Sequence, residues 1–412
     1  MGGARIYDVV VIGGGAAGFF AAIHAKKQPQ LRVLLLEKSG QVLSKVKISG
    51  GGRCNVTHAC FDAALLSKYY PRGERELRGA FSRFGAADTV SWFESRGVAL
   101  KTESDNRIFP KSDNSQSIID CLVGEARRVG VEIQTHAGVK RMKQSAVGWN
   151  LETAEGWYMA SQVMLATGSS NIVWDMLAEL GHTIVPPVPS LFTFHVKDSA
   201  LHELAGLSVP NAVVSLVGTK VPVQTGAVLI THWGFSGPCI LRTSAWGAIA
   251  LAATQYKCPI HIQWDANWTP SQVQAHIAAQ RQQYPRRQIT NYPMPNIPQR
   301  LWRYLVLRAG IPEPRIWAEL LKKETDELIN QLCKCPFAIH GKSTFKEEFV
   351  TCGGIDLKEV DFRTMQSKLH PTLYFGGEVL NIDAITGGFN FQAAWTTGWI
   401  AAQGINQQTT HL

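Results

Sequence analysis

The apolar residues of this chain fall into three kinds of run. The first is short and β-branched. Tyr7–Ile12 (YDVVVI) has almost no polar position, which predicts a parallel strand buried on both faces. Phe19–Lys26 is rich in alanine and predicts a helix, and Arg32–Leu36 (RVLLL) predicts a second strand. The second kind fills Leu191–Cys258, where FTFHV, AVVSLVG, VPVQTG and AVLIT are separated by turns. These runs predict antiparallel strands in a small barrel or sandwich. The third kind fills Pro270–Lys342. There SQVQAHIAAQRQQY, PQRLWRYLVLRAG and RIWAELLKKETDELINQL carry helical spacing, and the Pro-rich NYPMPNIP between them predicts a rigid linker. The pattern predicts an α/β protein. A Rossmann-like domain of residues 1–190 plus 346–412 is interrupted by a β-rich domain, 191–268, and a small helical domain, 269–345. The sequence carries no internal repeat.

The first strand runs directly into Gly13-Gly14-Gly15-Ala16-Ala17-Gly18. Glycines at 13, 15 and 18 between a strand and a helix have a physical purpose. Gly13 allows the tight turn, Gly15 lets backbone approach a pyrophosphate, and Gly18 allows close helix–strand packing. The helix start at Ala16 and Ala17 offers free N–H groups and a partial positive charge to phosphate. The second strand ends at Glu37, followed by Lys38, where a carboxylate can take the ribose hydroxyls of an adenosine.

Three further segments point to FAD as the dinucleotide. In Ile48–Thr57 (ISGGGRCNVT), Ser49, Gly50, Gly51, Gly52, Arg53, Cys54 and Asn55 predict a loop that approaches a ligand with its backbone. Its cations, Lys45 upstream and Arg53 within, are placed for phosphate or flavin carbonyls. Val163–Gly168 is an apolar strand ending in Ala166-Thr167-Gly168, the kind of crossover found near an adenosine. Near the C-terminus a strand from Leu373 ends at Gly376-Gly377-Glu378, and Gly387-Gly388 opens an Ala/Trp-rich helix. Glu378 or Asp383 can accept a hydrogen bond from a ribityl hydroxyl. The start Gly388-Phe389-Asn390 can aim its dipole at the flavin N1/C2 carbonyl, where negative charge gathers on reduction.

With 412 residues, 45% hydrophobic and 18% charged, the composition excludes disordered, collagenous and disulfide-stapled classes. No signal-peptide core or membrane span is read, so a cytoplasmic protein is expected. Eight cysteines without a CxxC predict free thiols, and no metal is expected at Cys333 and Cys335. Cys54 and Cys60 raise dithiol chemistry, but positions i and i+6 of a helix point about 120° apart. A packed thiol is the better reading of Cys54. Of the net charge of +9, residues 270–345 hold eleven Lys or Arg against five Asp or Glu, a surplus of six. His232, in Thr231–Pro238 (THWGFSGP), is the candidate catalytic acid–base group.

The sequence resembles the YhiN-like (BaiN-like) bacterial flavoproteins, an aminoacetone-oxidase-like group of NAD(P)/FAD-dependent oxidoreductases. DVVVIGGGAAG, KISGGGRCNVT, RIFPKS, THWGFSGP, VTCGGI and LYFGGEVLNIDAITGGFNFQAAWTTG carry the resemblance over nearly the whole chain. It implies FAD and a three-part fold, and activities ranging from aminoacetone oxidation to reduction of unsaturated steroid ketones. Two segments depart from the family pattern: Ser169–Asp175 lacks the usual glycines, and Asn106 stands where a glycine usually precedes Arg107. The expected function is flavin-mediated transfer to or from a small or medium enone, ketone or amine. No second strand–GxGxxG–helix is present, so NAD(P)H is expected only as a transient donor. Nucleic acid is not expected as a partner and oligomeric state stays open. The alternatives are an FAD-dependent RNA-modifying or RNA-binding protein, and a flavin-bound non-enzymatic or thiol–disulfide protein.

Overall fold

A computed structural model describes residues 5–342 and 350–409. The chain forms two compact units, 1–187 with 351–412 and 188–350. The sequence boundary at 345/346 lies outside the described residues.

The first unit is built on the strand Arg5–Ile12. Val9, Val10 and Val11 are fully buried, as expected of a strand covered on both faces. It pairs in parallel with Val33–Leu36 on one side and with Gly156–Leu165 on the other. Leu373–Phe375 adds in parallel beyond Gly156–Leu165. Ile12, Leu165 and Phe375 stand in register, so three strands end together. Chain order reverses between the first strand and Gly156–Leu165, which opens a crevice at those ends. Ala16–Ala25 forms the following helix, buried along almost its whole length. It packs against the C-terminal helix, Phe389–Thr409.

The second unit is a closed barrel of six antiparallel strands: Phe194–Val196, Gly234–Ser236, Gln224–Thr231, Ser208–Leu216, Cys258–Gln263 and Cys335–Lys342. The last of these corrects the expectation of a helical segment up to 345. Cys335, Phe337 and Ile339 are buried while Pro336, Ala338 and His340 are exposed, a period of two that marks a strand. It pairs with both Phe194–Val196 and Cys258–Gln263 and closes the barrel. The helices Pro270–Gln283, Gln299–Arg308 and Lys322–Cys333 do not form a separate core. Val273, Trp302 and Leu328 belong to one apolar cluster with the barrel residues Val214, Ile230 and Ile260. The Pro-rich segment, expected as a rigid linker, is part of that core, because its Met294 and Ile297 are buried in the cluster. No helix among the described residues is long and apolar enough to cross a membrane.

His24 sits in the core of the first unit. Trp92 Nε1–H donates to its Nε2 at 3.0 Å, so Nδ1 carries the proton and donates to Phe20 O at 2.6 Å. Burial pushes its pKa down from 6.5 to about 3. The unfolded chain therefore binds the proton first, and the neutral imidazole's contribution is lost as pH falls from 6.5 toward 3. Between pH 7 and 5 this costs about 2 kcal/mol of stability. Denaturant unfolding should show that loss in the wild type and a shallower pH dependence in His24→Phe.

Candidate functional site

The glycine fingerprint meets its expected geometry. Gly13 has φ +112°, and a Cβ there would lie 2.4 Å from Ala166 O. A Cβ on Gly18 would lie 1.9 Å from Gly13 O. At Gly15 a Cβ would meet no atom within 4 Å. Two glycines are thus required by the protein's own packing, and the third faces open space. Ala16 and Ala17 begin the helix beside it. Ala166 N–H donates to Ile12 O at 2.8 Å, which draws Thr167 and Gly168 to the same edge.

Glu37 is anchored across the fingerprint. One carboxylate oxygen accepts from Gly14 N–H at 2.8 Å, and the other accepts from Ser39 N–H and Ser39 Oγ, each at 2.8 Å. Lys38 is exposed beside Gly138. Lys45 and Glu378 form an ion pair next to Gly168, and Glu378 also accepts from Thr351 N–H at 3.0 Å. Gly377 N–H donates to Thr397 Oγ1 at 2.9 Å, tying this corner to the C-terminal helix. Fingerprint, crossover and Gly377-Glu378 therefore meet at one sheet edge.

The second glycine segment is not a simple loop. A helix from Ser44 breaks at Ser49, whose Oγ donates to Val46 O at 2.9 Å. Gly50, Gly51 and Gly52 follow with φ between +58° and +82°, and the last two face open space. Arg53 departs from its expected role. Its guanidinium bonds Glu103 at 2.7 Å, lies 3.5 Å from Asp113 and covers the Phe109 ring at 4.0 Å. Cys54 is fully buried, and burial pushes its thiol up to about 12. The chain from Cys54 to Cys60 is not helical but passes through the strand Thr57–His58, and all eight cysteines are free. Asn55 acts as a clamp. In the orientation that satisfies its amide, its oxygen accepts from Gly388 N–H at 2.9 Å, and its nitrogen donates to Thr57 O at 2.9 Å.

Three C-terminal residues are also used inside the fold. Asp383 has no exposed surface and forms a two-pronged pair with Arg72, so it is not open to a ribityl hydroxyl. Asn390 bridges the backbone of Ala384, accepting from its N–H at 2.9 Å and donating to its O at 3.2 Å. Phe389 is buried and stacks on Tyr69 at 4.4 Å. Arg72 was not expected, because its partner lies 311 positions away. In the second unit, His232 and Trp233 form the exposed two-residue turn between the paired Thr231 and Gly234.

The family model described as the HI0933-like protein Rossmann domain matches residues 7–404. The chain belongs to this family. A 3-dehydro-bile acid delta(4,6)-reductase of Clostridium scindens is 29% identical over 95% of this chain and 97% of its own length. A ribosomal RNA dihydrouridine synthase of Escherichia coli is 27% identical over 97% and 98%. Among solved structures, a 3-ketosteroid-delta4-(5alpha)-dehydrogenase of Rhodococcus jostii has the same fold. Its TM-score is 0.51 at 14% identity, covering 97% of each chain. The chain shares a Rossmann-type fold with its family and with that dehydrogenase. The residues present fit FAD: Gly15 leaves open space beside the helix start at Ala16 and Ala17, and Gly51 and Gly52 leave open space along the second glycine segment.

Two substitutions separate packing from binding. Gly18→Ala should fail to fold stably, because its methyl meets Gly13 O. Gly15→Ala should keep its circular dichroism spectrum yet lose FAD affinity by about tenfold or more, roughly 1.4 kcal/mol. Asp383→Asn should cost about 3–5 kcal/mol in denaturant unfolding, since it breaks the buried ion pair with Arg72.

Proposed function

We propose that this protein reduces a carbon–carbon double bond conjugated to a carbonyl, in a small or medium organic substrate, with NAD(P)H as a transient donor. One observation carries the reading. Relatives that match end to end have names for different substrates but the same change: a delta(4,6)-reductase of a 3-dehydro-bile acid, and synthases of dihydrouridine in ribosomal RNA. Each name describes hydrogen added across a double bond. Bound FAD supplies two-electron hydride chemistry of that kind.

The chain's own part is to hold and polarise. The Ala16 helix start and open Gly15 are suited to the pyrophosphate, and Glu37 is held at the adenosine side. Lys45 and Glu378 lie beside Gly168, within reach of polar groups between the two ends of the cofactor. The N-terminus of Phe389–Thr409 lends partial positive charge to a ring edge that becomes more negative on reduction. His232 is the candidate acid–base group of the second unit, and His232→Gln should lower kcat about 100-fold.

A second reading, RNA as the substrate, is favoured by one feature of the second unit. Residues 285–289 are hydrogen-bonded to residues 315–318, which gathers the exposed Arg281, Arg286 and Arg287 around one turn. The deciding experiment starts from the purified protein's visible spectrum. NADPH or NADH should bleach the flavin without oxygen, and a 3-keto-4-ene steroid should restore its colour. Restoration by uridine-containing RNA alone, with affinity falling steeply in salt, would favour the second reading. A colourless protein that takes up no FAD overturns both. Cys60→Ser should leave turnover unchanged, because Cys54 is sealed in the core.

A further inference from the structure

The strand Thr57–His58 follows the glycine run directly and pairs with Arg107–Pro110, His58 opposite Arg107. The Asn55 clamp brings this strand against Gly388. His58 therefore lies beside the opening of the C-terminal helix. Its Nδ1 is 3.2 Å from Gly387 O, and its ring centroid is 4.5 Å from that of Phe389. Tyr69 stacks on Phe389 at 4.4 Å and lies 5.8 Å from the His58 ring.

This geometry fixes a tautomer. Gly387 O is an acceptor only, so Nδ1 carries the proton and the neutral ring turns a lone pair outward at Nε2. The side chain is half-buried, and its Nε2 has no hydrogen-bond partner among the described residues. The charged groups around it act in opposite directions. Arg107, on the paired strand, disfavours the imidazolium, while Asp105 favours it and is bonded to Arg107 at 2.7 Å. Cys60 and Tyr69 are the other titratable neighbours, and Phe389 brings no charge.

We propose that His58 is the protein's proton-holding contact at the isoalloxazine end of the cofactor crevice, with Nε2 facing the ring's pyrimidine edge or the substrate laid on it. The proposal rests on the flavoprotein reading. In that reading the pyrophosphate lies over Gly15 and the adenosine lies toward Glu37, so the fused ring extends to Gly387-Gly388. A pyrimidine-dione edge presents carbonyl oxygens and an N–H, which an imidazole can serve as donor or acceptor. Burial lowers the pKa of His58 below its usual 6.5, so the ring is neutral at pH 7 and gains its proton on acidification.

The test uses the oxidised holoprotein and needs no substrate. Its visible absorption and flavin fluorescence are titrated between about pH 8 and 5, a range that brackets the usual imidazole ionisation. The wild type should show one ionisation below 6.5. His58→Gln keeps a donor toward Gly387 O, and His58→Phe keeps the packing on Phe389. Both should abolish that ionisation while binding FAD within about threefold of the wild-type Kd, a change under 1 kcal/mol. A wild-type flavin that does not titrate, or the same ionisation surviving in both variants, overturns the proposal and leaves the flavoprotein reading standing. Wild-type protein that binds no FAD overturns the reading on which it rests.

Discussion

The first unit depends on how closely a helix can approach the sheet edge. Ala16–Ala25 can follow its strand through only Gly13-Gly14-Gly15 because no side chain stands at Gly18. The same absence at Gly13 lets the Ala166 carbonyl come within 2.4 Å of where a Cβ would be. The three parallel strands then end in register, and the segments that follow them converge. Any side chain at either glycine would push the helix N-terminus away from the edge and with it the partial charge available to phosphate. Packing and binding thus share one constraint, and Gly15 alone among the three is left to the ligand.

Polar groups near that edge are largely spent on holding it. Arg53, Asp383 and Asn390 have the chemistry expected of ligand contacts, yet each is bound to another part of the chain. The buried pair of Asp383 with Arg72 fixes where Ile382–Ile385 crosses the first unit. His182 offers a parallel case. Its Nδ1 meets Glu359 at 2.8 Å and its Nε2 meets Ser367 Oγ at 3.0 Å, a Ser–His–Glu arrangement familiar from hydrolases. But Ser367 is buried and already accepts from the N–H groups of Leu369 and His370. Its hydroxyl is locked rather than poised.

The difference between what was legible in the sequence and what was not follows sequence distance. The strand–glycine–helix–strand unit is local, and Tyr7–Glu37 could be read from spacing alone. The barrel strands around FTFHV, AVVSLVG and AVLIT are legible by alternation, while Gly234–Ser236 and Cys258–Gln263 are not. Cys335–Lys342 carries the same alternation, yet it was hidden by the helical run before it and by a Cys-x-Cys that drew attention to metal chemistry. Its pairing partners lie far back in the chain, so no local pattern reveals that it closes the barrel. Asp383 is hidden for the same reason: residue type suggests a ligand contact, while the partner that occupies it lies 311 positions away. Asn106 shows the opposite case. It replaces an expected glycine and still takes φ +65°, which asparagine tolerates better than other side chains. That departure therefore leaves the local backbone intact.

The charge surplus narrows in a similar way. Within residues 270–345, Arg303 pairs with Glu313 and Arg315 with Glu324, while Arg308 is held by Asp198 of the barrel segment. Arginines in such pairs have no full charge to offer a distant phosphate. Arg286 and Arg287 differ. They lie on a turn whose backbone is fixed by bonds from Trp317 N–H to Arg287 O and from Ala318 N–H to Pro285 O, and Arg281 reaches the same place through Ala318 O. A fixed turn presents its cations at a defined spacing, which a flexible basic tail does not. Arg281, Arg286 and Arg287 are thus the part of the surplus that a fixed turn gathers in one place. A salt dependence set by three contacts would be much shallower than one set by eleven.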